Sequence, residues 1–206
     1  MNSPRLIHLV AHRGNAAEFP ENTLPAFSSA LDLGVRFVEF DVQLSKDGVP
    51  VVIHDHLLAR TTGLPGSVFD HEAAELSRME AAETQRFGER YRGVRIPLLR
   101  DALTVLKGHP EITLFVELKR ASLRQFGHDH VVSQVLEVIK PWRTQCVLIS
   151  FDLVAIHKAR ALAESPIGWV LGEYDEHTRL KCEALQPQFL FCDHSEPPTA
   201  ARLWQG

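Results

Sequence analysis

The chain is a succession of short apolar runs, each long enough for one strand, separated by stretches of helical character. This alternation constrains the fold more than any other feature. Apolar runs lie at 6–11, 112–119, 146–151, 167–172 and 188–193, and helices are expected over 24–33, 100–106, 128–139, 153–164 and 177–184. In the first helix Asn22 or Thr23 suits the N-cap, Pro25 the first turn and Gly34 the position past the end. In the third, Val131, Val135, Leu136 and Ile139 fall at helical spacing. Residues 57–66 read as a polar loop, and 70–92 as a helical turn within a long loop. Strands written as unbroken apolar runs are buried on both faces, and strands alternating with helices assemble a parallel sheet.

One stretch departs from that rule. Across 37–45, Val38, Phe40 and Val42 alternate with Glu39, Asp41 and Gln43, the period of a strand with one polar face. Glu39 and Asp41 therefore point the same way. Lys46-Asp47-Gly48 is turn chemistry, and the apolar run 49–53 returns as the second arm of a hairpin. A turn centred on Asp47 sets Asp41 opposite Ile53 and brings His54 and Asp55 back beside the two carboxylates.

Polar groups gather where the apolar runs end: His12 and Arg13, then Glu39 and Asp41, then Glu117 and Lys119. In a (β/α)8 barrel the C-terminal strand ends carry the active site. A doubly wound sheet would also bind there, but no glycine-rich phosphate turn follows the first strand, so the barrel is favoured. Any one of these acids alone would read as an ion-pair partner. Together, Glu39, Asp41 and Glu117 offer hard oxygen ligands without cysteine, a set suited to Mg²⁺ or Ca²⁺, with Mn²⁺ admissible. Like charges this close raise one another's pKa unless a cation neutralises them. A lone histidine at a strand end is commonly structural, whereas His12 and His54 as a pair can divide acid and base work. Arg13 and Lys119 add fixed positive charge, and a guanidinium fork matches phosphate oxygens. Acids, imidazoles and cations in this combination describe displacement at phosphorus.

Composition narrows the partners. A formal charge of −4 gives no basic footprint for nucleic acid. Run 6–11 is too short for a leader or a bilayer span, so no stable membrane anchor is expected. The three cysteines match no zinc spacing; Cys146 and Cys192, inside apolar runs, are expected to be buried thiols, which suits a reducing cytoplasm. Most of the eleven histidines are expected at the surface, His128 and His130 included. Trp142, Trp169 and Trp204 read as packing residues, and 140–143 as a helix stop. At 206 residues a single domain is expected.

Five linked motifs carry a family resemblance: Ala11-His12-Arg13-Gly14, Pro20-Glu21-Asn22-Thr23, Glu39 through Gly48, Val51 through Asp55, and Val116-Glu117-Leu118-Lys119. With Arg60-Thr61-Thr62-Gly63, Ile96-Pro97-Leu98-Leu99 and Ser150-Phe151, they resemble the glycerophosphodiester phosphodiesterase family. The resemblance implies a TIM (β/α)8 barrel of the phospholipase C-like type. It also implies hydrolysis of a small-molecule glycerophosphodiester to sn-glycerol 3-phosphate and an alcohol. Carried over motif by motif, it makes His12 and His54 the acid/base pair and Arg13 and Lys119 the phosphate contacts. Glu39, Asp41 and Glu117 become the divalent-metal ligands. Attack by the neighbouring glycerol hydroxyl through a cyclic phosphate, and direct attack by water, both remain open.

The resemblance weakens after the sixth barrel strand. Family members continue through two further βα units, roughly 60 residues at about 30 per unit. A barrel open at two edges is a liability, so the chain is expected to be a piece of a longer enzyme. Two other readings stand beside this one. A sphingomyelinase D-like phospholipase shares the barrel and paired histidines but is secreted and disulfide-bonded. A non-catalytic phosphodiester-binding barrel would not need every one of these residues.

Overall fold

A computed structural model describes residues 8–163 and 165–193. The first four strands are β1 (Val10–His12), β2 (Phe37–Leu44), β3 (Pro50–Val52) and β4 (Thr113–Leu118). The last three are β5 (Cys146–Ser150), β6 (Ile167–Val170) and β7 (Phe189–Phe191). They form one sheet in the order β1-β2-β4-β5-β6-β7, parallel throughout, with β3 antiparallel on β2. The hairpin register pairs Val42 with Val52, and the Ile53 N–H donates to the Asp41 carbonyl at 3.0 Å, as the turn at Asp47 predicts.

Helices follow the strands. α1 (Leu24–Asp32) starts from Thr23 in extended backbone, with proline in its first turn. Between β3 and β4 come three one-turn helices, α2 (Ala59–Thr62), α3 (Ala73–Leu76) and α4 (Thr84–Phe87), then α5 (Leu99–Leu106). The rest are α6 (Arg120–Phe126), α7 (His128–Ile139), α8 (Leu153–Ala163) and α9 (Glu176–Leu185). α7 has the expected bounds. α6 was not expected: only Ser122 and Leu123 of its residues are buried, too few to write an apolar period.

The two faces of β2 divide the labour. Val38, Phe40, Val42 and Leu44 are buried against the helices in the main core, beside Phe27, Leu103, Leu118 and Val135. Phe37, Glu39, Asp41 and Gln43 face the other way, into the barrel interior. That interior shows the sheet's curl. Phe115 on β4 meets Phe189 and Phe191 on β7 edge-on, with ring centroids 5.0 and 4.9 Å apart. In a flat sheet, strands three places apart would stand about 14 Å from each other. Gly168 on β6 belongs to the same interior: a Cβ there would lie 2.9 Å from Ile149 and 3.1 Å from Phe191. The architecture is that of a TIM barrel with the sheet not closed among the described residues, since no ladder joins β1 to β7 there.

Three expectations need correction. β1 is not buried: Leu9 is 76% exposed and Val10 40%, because this edge strand has a neighbour only in β2 among the described residues. Residues 6 and 7 lie outside the description, as does Trp204. Cys192 is exposed, while Cys146 and Cys182 are buried. It sits just past the short β7, beyond the cover of the helices. Burial pushes the Cys146 thiol up to about 12. None of the histidines among the described residues is buried, although His128 is bonded to Asp152 at 3.1 Å rather than simply solvated.

Candidate active site

Three strands supply the acids and two of the cations. Register sets His12 beside Glu39 and Asp41 beside Glu117, so the C-terminal ends of β1, β2 and β4 meet at one level. Glu39, Asp41 and Glu117 are 4%, 0% and 8% exposed. Each offers a carboxylate oxygen within 4.8 Å of the others.

Their surroundings differ. Asp41 is the most fully partnered: Asn22 Nδ2 donates to Oδ2 at 2.8 Å, Arg13 Nε lies 3.1 Å from the same oxygen, and Lys119 Nζ stands 3.1 Å from Oδ1. Burial works against its charge, yet Lys119, His54 and Arg13 outweigh it and hold the carboxyl below its usual range. Glu117 bonds Lys119 Nζ at 2.8 Å. Burial nevertheless raises it, with Asp41 adding to the rise. Lys119, desolvated but facing two acids, is raised and stays an ammonium. Here it is the counter-charge of Asp41 and Glu117.

Glu39 is the exception. Its Oε2 accepts the Arg13 N–H at 3.1 Å and lies 3.7 Å from His12 Nε2, but Oε1 is buried without a hydrogen-bond partner among the described residues. Burial first, then Asp41 and Glu117, push this carboxyl well above its ordinary value. A buried carboxylate oxygen without a donor is costly. One aimed among two more carboxylates fits a hard cation, and the donor set Glu39, Asp41 and Glu117 is all oxygen.

The two imidazoles come from different strand ends, those of β1 and β3. His12 ends β1 with its side chain 67% exposed. Partial desolvation, then the adjacent Arg13 charge, lower its pKa. His54 follows β3, 29% exposed, with Nδ1 at 2.6 Å from Asp55 Oδ1. Its carbonyl accepts from Gln43 Nε2 at 2.8 Å, and Gln43 in turn accepts from Ser122 Oγ at 2.6 Å. The polar face of β2 thus pins the residue that the hairpin brings back.

Arg13 is held in left-handed backbone at φ 59°, followed by Gly14 at φ 78°. A side chain on Gly14 would meet the Ala26 backbone at 2.8 Å, so only glycine lets this loop lie on α1. Motif reading placed all seven candidates, and the structure brings them to one end of the sheet. It did not assign the layer behind them. Glu21 Oε1 accepts from Arg13 Nη1 at 3.0 Å and Arg60 Nη2 at 2.7 Å. Asn22, at φ 57°, grips Asp41 through both its amide groups. Glu83, also left-handed and 3% exposed, accepts the Glu21 N–H at 2.6 Å. The one signal for the first two was their place in the motif 20–23.

Buried acids, two imidazoles and fixed cations meet at the C-terminal ends of a curled parallel sheet, where barrels of this architecture carry their ligand sites. Comparison makes the class specific. The model of the glycerophosphoryl diester phosphodiesterase family matches residues 12–196, and the chain belongs to that family. A glycerophosphodiester phosphodiesterase of Caldanaerobacter subterraneus subsp. tengcongensis is 32% identical over 157 residues, covering 75% of this chain and 62% of the relative. One from Bacillus altitudinis is 40% identical over 129 residues, 63% of this chain and 52% of the relative. The chain thus spans between half and two thirds of the length of these curated relatives. Among solved structures, an Oleispira antarctica phosphodiesterase in complex with the product sn-glycerol-3-phosphate superposes with a TM-score of 0.82 at 29% identity. That match covers 94% of this chain and 77% of the other. No helix among the described residues is long and apolar enough to cross a membrane.

Proposed function

We propose that this chain carries the catalytic centre of a metal-dependent glycerophosphodiester phosphodiesterase, releasing sn-glycerol 3-phosphate and an alcohol. The observation that carries the reading is the buried Glu39–Asp41–Glu117 cluster, with its unpartnered Glu39 oxygen, set beside two imidazoles and two cations. Glu39, Asp41 and Glu117 hold a divalent ion, Mg²⁺ or Ca²⁺ or Mn²⁺. When bound, it supplies charge that stabilises the negative phosphoryl oxygens.

Arg13 and Lys119 meet the phosphodiester. Both already sit against Asp41, so the anion arrives where positive charge is fixed. Of His12 and His54, one accepts the proton of the attacking hydroxyl, from glycerol or water. The other protonates the departing alkoxide, so the alcohol leaves neutral. The product bound in the Oleispira antarctica structure is the expected product here.

The test is release of glycerol 3-phosphate from glycerophosphocholine and glycerophosphoethanolamine, with and without EDTA. Release that chelation abolishes and Mg²⁺, Ca²⁺ or Mn²⁺ restores is the expected result. Undiminished release after complete chelation would sink the metal assignment, and no release with any ion would leave a binding barrel.

A further inference from the structure

The two site histidines are held by different means, and only one has a chain of charged partners behind it. His54 Nδ1 lies 2.6 Å from Asp55 Oδ1. The other Asp55 oxygen accepts Arg60 Nε at 2.5 Å. Arg60 Nη2 reaches Glu21 Oε1 at 2.7 Å, the oxygen that also takes Arg13 Nη1 at 3.0 Å. Glu21 is fixed through its own N–H by the buried Glu83. The chain therefore runs from one candidate phosphate contact, Arg13, to one candidate acid/base group, His54, by way of residues from two separate loops.

We propose that Arg60 is a positioning residue that fixes the tautomer and direction of His54 through Asp55, and that Glu21 locks it to Arg13. An ionised carboxylate only accepts hydrogen bonds, so Asp55 obliges His54 Nδ1 to carry the proton. The Nε2 lone pair is then left for proton transfer. Arg60 has the shape for this task because its fork presents two donors in one plane, one to each acid. Asp55 is desolvated, but the Arg60 bond and His54 outweigh that and keep it low, so it stays ionised at neutral pH. α2 supplies the rigid mount: Arg60 lies within its single turn, which Gly63 ends in left-handed backbone at φ 73°.

Among the described residues His12 has no such backing. Its carboxylate neighbour at 3.7 Å is Glu39, one of the three acids of the cluster. Loss of Arg60 should therefore affect one histidine and spare the other.

The inference rests on the proposed hydrolysis for its kinetic arm only. The direct readout is the imidazole ¹⁵N–¹H correlation spectrum of the full chain, with His54 assigned from its loss in His54→Gln. In the unsubstituted protein His54 is expected as a single tautomer protonated at Nδ1. In Arg60→Met it becomes a tautomer mixture while His12 is unchanged, and kcat falls about 10- to 100-fold with KM within about twofold. Asp55→Asn, which keeps the side-chain volume, gives the same spectral change if Arg60→Met does not fold. A folded Arg60→Met with an unaltered His54 spectrum overturns the proposal, whatever the turnover, as does an unaltered spectrum in Asp55→Asn where Arg60→Met does not fold. If the unsubstituted protein releases no glycerol 3-phosphate, the hydrolase reading fails while the spectra still decide this one.

Discussion

Apart from the antiparallel β3, the β1–β4 side of the sheet and the β5–β7 side are alike built from parallel strands, and they do opposite things. The first carries all seven candidate site residues and buries the three carboxylates of the cluster, with Glu21 and Glu83 behind them. The second fills its interior face with Val147, Ile149, Phe189 and Phe191, packed on Phe115, and one buried hydroxyl on it, Ser150 Oγ, donates to the Leu118 carbonyl at 2.8 Å. Charge on one side is tolerated because bases and amides surround it. The other side contributes apolar packing against Phe115 of β4. The difference separates two kinds of damage: loss of chemistry without loss of fold, and the reverse.

The largest effect is expected on the charged side. Glu39→Gln should cut glycerol 3-phosphate release on the order of 10³-fold, since cation stabilisation of the transition state is worth several kcal/mol. Its melting temperature without metal should hold or rise, because the amide removes an unpaired buried charge. A steady-state assay beside thermal unfolding separates the two. His12→Ala and His54→Ala should each lower kcat about 10²-fold or more with the fold intact; turnover equal to wild type in either would remove that residue from the acid/base pair. Phe115→Ala, which removes the β4 ring on which the apolar side packs, should cost about 3–5 kcal/mol in denaturant unfolding. Its metal affinity should stay near wild type at temperatures where it is folded, and an equal loss of both would mean the sides are not separable.

A smaller effect is the pH dependence of metal stabilisation. Without metal, Glu39 and Glu117 have folded-state pKa values above their unfolded ones. As pH rises through the unfolded value, the unfolded chain gives up these protons first, so the native state loses stability until the raised folded values are passed. Metal binding keeps the carboxylates ionised and releases the protons. The melting-temperature gain from added Mg²⁺ should therefore be larger near about pH 8 than near about pH 5.5. A gain that grows with acidity would contradict the protonation account.

Much of the first layer was legible in the amino-acid order. Period-two alternation put Glu39 and Asp41 on one face, and counting from Asp47 gave the pairing that sets His54 beside them. Such signals are local and periodic. The layer behind is neither. The Arg60–Glu21 bond spans 39 residues and the Glu21–Glu83 bond 62, between loops with no repeat to read. Glu83 depends on left-handed backbone that its residue type does not announce, whereas asparagine, as at Asn22, enters it readily. α6 escaped for a similar reason, since part of its hold on the sheet is polar: Ser122 Oγ accepts from the Leu44 N–H at 2.9 Å and donates to Gln43. Exposure at β1 and Cys192 was hidden too, because strand-like composition does not say which strands lie at an edge.

The central claim is that Glu39, Asp41 and Glu117 form one cation site. Calorimetric titration of Mn²⁺ into chelator-treated protein and its Glu39→Gln variant tests it most directly. The account predicts one ion per wild-type chain, with heat that varies with buffer as protons are released, and binding weakened about 10-fold or more in the variant. A wild-type chain that binds no ion, or a variant that binds as tightly, would contradict it.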